Sequence, residues 1–168
     1  MFGATKFENL KDLYVDELKD LYDAEHQILE ALPMMAEKAS HTELQQAFRN
    51  HLEQTRGQVT RLEQVFQKLG MQPERKTCKA MKGLMAEGQE ILKAKGDDDT
   101  IDAALIAAAQ RVEHYEIAGY GTVRTLAQRL GHEDQARLLQ EILNQEGETD
   151  KKLTRLAESR VNADAVLA

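Results

Sequence analysis

The chain has 168 residues, enough for one hydrophobic core and short of a comfortable two. Hydrophobic residues make up 42%, and 22 basic against 29 acidic residues give a net charge of −7, which argues against an unaided hold on nucleic acid or an anionic membrane. The lone cysteine, Cys78, excludes an intrachain disulfide or a Cys-rich zinc site, no apolar run approaches the ~20 residues of a membrane span, and the start MFGATKFENL lacks the features of a signal peptide, so a cytoplasmic protein is expected.

Apolar residues recur at three- and four-residue steps almost throughout, with no sustained period-two alternation. A first helix is expected over about residues 6–38, opened by Thr5-Lys6-Phe7-Glu8 as a capping box and broken or kinked at Pro33. Ser40-His41-Thr42-Glu43 reads as a second capping box, opening a helix over about 41–69 that Lys68-Leu69-Gly70 terminates. Residues 71–99 carry Pro73, Gly83, Gly88 and Gly96, yet Met81, Leu84, Met85, Ile91 and Leu92 keep helical spacing. A short crossover helix over about 77–95, packed outside the main bundle, fits both facts. Asp97-Asp98-Asp99-Thr100 supplies a cap and dipole-matching acids for a helix over about 99–130, ended by Arg129-Leu130-Gly131. A last helix spans about 133–160. Hairpin, long crossover, hairpin is a connectivity of ferritin-like folds. The expected fold is therefore all-α: one domain over 1–168, a ferritin-like four-helix bundle with a short fifth helix in its crossover.

The functional signal lies in what interrupts the apolar stripes. With about 100° per residue, Glu25 falls at the centre of the stripe Phe7, Tyr14, Leu18, Leu21, Leu29, Leu32. Glu116 is central in the stripe that runs from Leu105 through Val112 and Tyr120 to Leu130, with Glu113 one turn back on its flank. In the last helix Glu146 lies among Leu139, Ile142 and Leu153, and Asp150 stands one turn on, toward the edge. The second helix places Thr55 near its stripe centre and His51 on the flank. Glu53 lies about 140° away, near Arg49 and Arg56, as a surface ion-pair candidate. Glu25 precedes Thr55 by 30 residues and Glu116 precedes Glu146 by the same 30, so the two hairpins bring their middle positions to similar heights.

Carboxylates taken out of water cost several kcal/mol each and repel one another when clustered. Protonation with coupled titration, pairing with a buried cation, or a bound divalent ion can compensate. No Arg or Lys occupies a stripe centre. Carboxylates with an imidazole suit Fe or Mn better than Zn, and a metal accounts for the whole set of Glu25, His51, Glu113, Glu116, Glu146 and Asp150. His26 and His114 point off the stripes, Tyr14, Tyr22 and Tyr120 read as core aromatics, and Met34, Met35, Met81 and Met85 read as core or interface filler. Lys76 and Lys79 beside Cys78 favour its thiolate if it is exposed.

The segments Asp23-Ala24-Glu25-His26-Gln27, His51-Leu52-Glu53-Gln54-Thr55, Val112-Glu113-His114-Tyr115-Glu116-Ile117-Ala118 and Asn144-Gln145-Glu146 together resemble the YciE/YciF family of bacterial stress-associated proteins, closer to its YciF branch. The resemblance spans nearly the whole chain, and the V-E-H-Y-E-I-A run is its most specific piece. It implies a ferritin-like bundle, a homodimer and a dinuclear, di-iron-type site. Against the wider template of two Glu and two Glu-x-x-His motifs, Glu25 and Glu116 match the first pair, while Glu53-Gln54-Thr55-Arg56 and Glu146-Gly147-Glu148-Thr149 lack the histidines. The expected function is stress-related Fe or Mn binding between the helices, with peroxide or dioxygen as the partner of any redox step, or a role in metal handling. The competing expectation is a non-catalytic helical interaction protein whose metal site is vestigial, with the apolar surface near Met81 and Met85 serving a partner.

Overall fold

A computed structural model describes residues 6–167. Its long helices are α1 (Leu10–Lys38), α2 (Thr42–Lys68), α4 (Asp98–Arg129) and α5 (Glu133–Leu156), with the shorter α3 (Lys79–Lys93) in the crossover. A wider-wound π turn, Ala157–Val161, leads into the short α6 (Asn162–Ala165). The hairpins α1/α2 and α4/α5 stand side by side, α1 against α4 and α2 against α5, which is the ferritin-like arrangement. Helix α3 lies outside, on α1 and α4. No strand occurs among the described residues, and none of their helices is long and apolar enough to cross a membrane.

The helix ends show which local signals prevail. Thr5 lies outside the described residues; α1 is capped by Asn9, whose Oδ1 accepts from the Asp12 amide at 3.1 Å, and Phe7 stands before the helix, exposed. Helix α1 passes through Pro33 without a break. The proline is exposed, while Leu32 and Ala36 on either side are buried. Their burial holds a turn that the missing amide alone would weaken by about 3 kcal/mol. The cap of α2 is also not the one its sequence suggests. No side chain of the Ser40–Glu43 segment caps it; instead the buried Asp102 of α4 accepts from the Ser40 amide (2.9 Å), the Ser40 hydroxyl (2.8 Å) and the His41 amide (2.8 Å). A long-range carboxylate thus locks the first hairpin to the second. Asp97 caps α4 through the Thr100 amide at 2.7 Å.

Gly70 and Gly131 end α2 and α4 with φ of 70° and 77°. The amides of Gly70 and Met71 turn back to Gln67 and Phe66, and those of Gly131 and His132 to Gln128 and Ala127, in the same paired pattern. Gly119 has another role. A Cβ there would stand 2.7 Å from Leu21 Cδ2, so glycine sets how closely α4 approaches α1.

In the crossover, Cys78 is fully buried and its sulfur caps α3, accepting from the Met81 amide at 3.3 Å. Burial pushes its thiol up, which overrides the thiolate-favouring effect expected of Lys76 and Lys79. Met81 is buried too, so it offers nothing to a partner surface.

The bundle core is divided along its length. One apolar cluster gathers Tyr14, Leu18, Leu62, Phe66, Val123 and Leu139; the other gathers Ile28, Leu32, Phe48, Leu105, Ile106 and Leu153. The buried acids lie on the turns between them: Glu25 between Leu21 and Ile28, Glu116 between Val112 and Tyr120, Glu146 between Ile142 and Leu153.

Candidate metal centre

Four helices converge on this polar layer. Glu25 comes from α1, His51, Thr55 and Gln58 from α2, Glu113, Glu116 and Tyr120 from α4, and Glu146 from α5; all are buried. His51, Glu113, Glu116 and Glu146 each offer a ligand atom, and these four atoms lie within 4.8 Å of one another. Glu25 stands beside the group, close enough to Glu116 and Glu146 for their charges to act on it. The Tyr120 hydroxyl donates to Glu25 Oε1, and the Gln58 amide nitrogen donates to Glu146 Oε1 and, at 3.2 Å, to Gln145.

The other ligand-type atoms lack partners. Glu25 Oε2, Glu113 Oε2, both oxygens of Glu116 and Glu146 Oε2 accept no hydrogen bond. His51 Nε2 approaches Glu113 Oε1 at 3.2 Å without hydrogen-bond alignment, and its Nδ1 also has no partner. Buried polar groups are ordinarily satisfied, so this cluster of unpartnered oxygens and ring nitrogens is chemically incomplete. A divalent cation would complete it.

Burial also shifts the protonation of these carboxyls. Burial, with the charge of Glu146, pushes Glu25 up to about 8; burial above all raises Glu113 to about 8. Glu116 and Glu146 stand well above the usual carboxylate range, again chiefly through burial, then through the charge of Glu146 on Glu116 and of Glu113 on Glu146. No Lys or Arg is among the groups acting on them; His51 is the one cation-capable neighbour.

Asp150 is held apart from this group. Its Oδ1 accepts from Gln110 at 2.9 Å and lies 3.3 Å from the exposed His114, so it occupies the rim of the bundle. Glu53 is a surface residue paired with Arg56. His26 is half-buried, edge-on to Tyr22 at 4.7 Å, away from the cluster. Thr55, the counterpart of Glu146 in the first hairpin, spends its hydroxyl on the His51 carbonyl of its own helix at 2.9 Å. Two residues of the site escaped the sequence reading. Tyr120 looks like any stripe aromatic, yet its hydroxyl contacts Glu25. Gln58, three residues beyond Thr55, sits beside Val59 on the inward face, and a buried amide there was the available signal.

The fold and this cluster define a ferritin-like helical bundle with a buried carboxylate–imidazole group able to hold a metal ion. The chain matches the domain of unknown function DUF892 over residues 9–166 and belongs to that family. It is 45% identical to Protein YciF of Escherichia coli (strain K12) over 159 residues, covering 94% of this chain and 96% of that one. The crystal structure of the E. coli stress protein YciF superposes with a TM-score of 0.89 over 93% of this chain and 99% of that one, at 45% identity. YcfI of Rhodopseudomonas palustris, provisionally described as a structural protein, gives a TM-score of 0.87 at 44% identity, over 91% and 98% of the two chains. A two-domain protein of Anabaena variabilis, containing DJ-1/ThiJ/PfpI-like and ferritin-like domains, shares the fold at 20% identity and a TM-score of 0.62, over 93% of this chain and 39% of that one.

Proposed function

We propose that this is a stress-associated protein that binds Fe or Mn at the buried cluster, acts as a cytoplasmic homodimer and takes peroxide or dioxygen as its oxidant. One observation carries the reading: five buried acid and imidazole side chains from four helices converge with most of their ligand atoms unpartnered and no fixed cation among them. His51, Glu113, Glu116 and Glu146 would hold a first ion. Glu25 would extend the set toward a second, and Asp150 would act from the rim. A carboxylate-rich Fe or Mn centre supplies one-electron redox chemistry at neutral pH. Around it, Tyr120 fixes Glu25, Gln58 fixes Glu146, and the two apolar clusters flank the layer. The E. coli relative is called a stress protein, which is the source of the stress assignment.

The deciding experiment is metal content per chain after anaerobic loading with Fe(II) and, separately, Mn(II), beside a Glu116→Ala control. Retention of one or two ions, lost in the control, is the expected result. A second reading has support in the missing histidines of α2 and α5 and in the description of the R. palustris relative: a helical interaction protein with a vestigial site. It would be favoured by absent metal together with a gain in stability when Glu116 becomes Leu, because a buried charge-bearing group then disappears without loss of a ligand.

A further inference from the structure

A cavity of about 260 Å³ opens between α1, α2, α4 and α5 beside the polar layer, with His51 and Glu113 among its lining residues. Its walls are mostly apolar, with Ile28, Leu32, Phe48, Val112 and Leu153 facing the space beside the polar Asn50, Gln54 and Thr149. Ala31, Ala47 and Ala109 stand at lining positions where larger side chains would fill it. His51 and Glu113 are nearly fully buried and form its inner end. At the other end α5 contributes Glu148, the half-buried Lys152 and the exposed Arg155. Glu148 is paired with Lys151 at 2.9 Å, so the rim carries more positive than negative charge. That is unusual ground in a chain whose net charge is −7.

This polarity selects a ligand and its direction. An anionic head would lose its hydration at the nearly fully buried inner end, where no fixed cation meets it, and is attracted by the rim, while the mostly apolar walls favour an apolar body. The volume falls just under the ~300 Å³ at which drug-sized sites begin, which limits that body to a short or medium chain. We propose that the cavity binds a monoanionic amphiphile with a medium-length alkyl body, its carboxylate-type head at Lys152 and Arg155 and its alkyl end against His51 and Glu113. The inference rests on the metal reading only for what the alkyl end would face; the pocket itself needs no ion.

The test is calorimetric titration of the metal-free protein with nonanoate and with uncharged nonanol. The wild type should bind nonanoate, and nonanol more weakly. Lys152→Glu with Arg155→Glu should lower nonanoate affinity about tenfold, two partly exposed charges together being worth about 1.4 kcal/mol. Ala31→Phe, at a half-buried wall position, should abolish binding by both ligands. No nonanoate binding by the wild type, or equal binding by the wild type and the charge-reversed protein, overturns the proposal, and these surface changes leave the core intact. With Mn(II) loaded, proton relaxation in nonanoate should be enhanced most at the terminal methyl; a gradient steepest at the head overturns the placement. Failure to retain Mn(II) overturns the metal reading instead, and the metal-free titration then decides the pocket on its own.

Discussion

Raising the pH should destabilise the metal-free protein. Glu25 and Glu113 are lifted from the ordinary 4.5 to about 8, and Glu116 and Glu146 are also raised well above it, burial being the largest cause in each case. The folded state therefore keeps protons that the unfolded chain releases above pH ~4.5, and the stabilisation present below that value is lost as the pH rises toward 8. At ~1.4 kcal/mol per pH unit per proton, one carboxyl held protonated over this span makes folding about 5 kcal/mol less favourable at the top of the window than at the bottom. Four groups this close titrate as a set, so the loss should correspond to about one or two protons, which is of the order of a whole domain's stability. Other groups act differently, Asp23 and His26 among them. Asp23, whose burial is outweighed by the Cys78 amide, Gln27 and Arg75, sits below its ordinary 3.8 and titrates under the window. His26, lowered chiefly by burial, adds a little stability as the pH rises, but it is one half-buried ring. The assay is urea unfolding with a chelator present, from about pH 5 to about pH 8.5, on the wild type and on Glu25→Gln with Glu113→Gln. The wild-type midpoint should fall across the range and the variant's should fall less. Replacing the chelator with Mn(II) should reverse the slope, because an ion binds only the ionised carboxylates and neutral imidazole. A chelated midpoint that stays level or climbs through this range would refute the reasoning.

Two further predictions concern the scaffold. Asp102→Ala removes the acceptor shared by three donor groups and leaves the Ser40 and His41 amides at the start of α2 unsatisfied, so it should cost roughly 2–4 kcal/mol; a loss under about 1 kcal/mol in thermal unfolding would deny that carboxylate its capping role. Gly119→Ala should also destabilise, by up to about 2 kcal/mol, because overpacking against the buried Leu21 outweighs the ~1 kcal/mol gain in helix propensity. Stabilisation by that change, read from the melting temperature, would mean that α1 and α4 have room to part.

What was legible in the sequence is what periodicity encodes. Glu25, Glu116 and Glu146 interrupt their stripes at the centre, and each is buried in the layer between the two apolar clusters. His51, read from a flank position, is buried with them, whereas Asp150, read the same way, stays at the rim with Gln110 and His114. A flank angle leaves open which neighbour covers the residue, and that is settled by packing between helices. Gln58 and Tyr120 were hidden for a related reason: an inward amide or phenol fits an apolar stripe, and its partner lies on another helix. Asp102 shows the same limit. It follows an acidic run that looks like a helix start, yet its hydrogen bonds reach residues 61 and 62 positions earlier. At Pro33 the helix continues unbroken to Lys38, as the 6–38 expectation has it, with Leu32 and Ala36 buried on either side.

Under the proposed reading, charge balance ties the number of ions to the protons that the site already holds. Glu25, Glu113, Glu116 and Glu146 carry four negative charges when ionised, and neutral His51 carries none. Two divalent ions would cancel that charge; one would leave two carboxyls to be covered by protons. The hairpins are unequal in this respect. The second brings three acids, while the first brings one acid, an imidazole, and Thr55 and Gln58, which hydrogen-bond without charge. The second ion would therefore depend on Glu25, the carboxyl outside the four-atom group. The hydrogen bond from Tyr120 favours the ionised form of Glu25 and so opposes the burial that protonates it. Burial holds Tyr120 well above its ordinary 10.0, so the phenol remains a donor wherever the carboxyl titrates. A fixed donor on one oxygen of Glu25 leaves the other free, and it is that oxygen, Oε2, which has no partner in the folded protein.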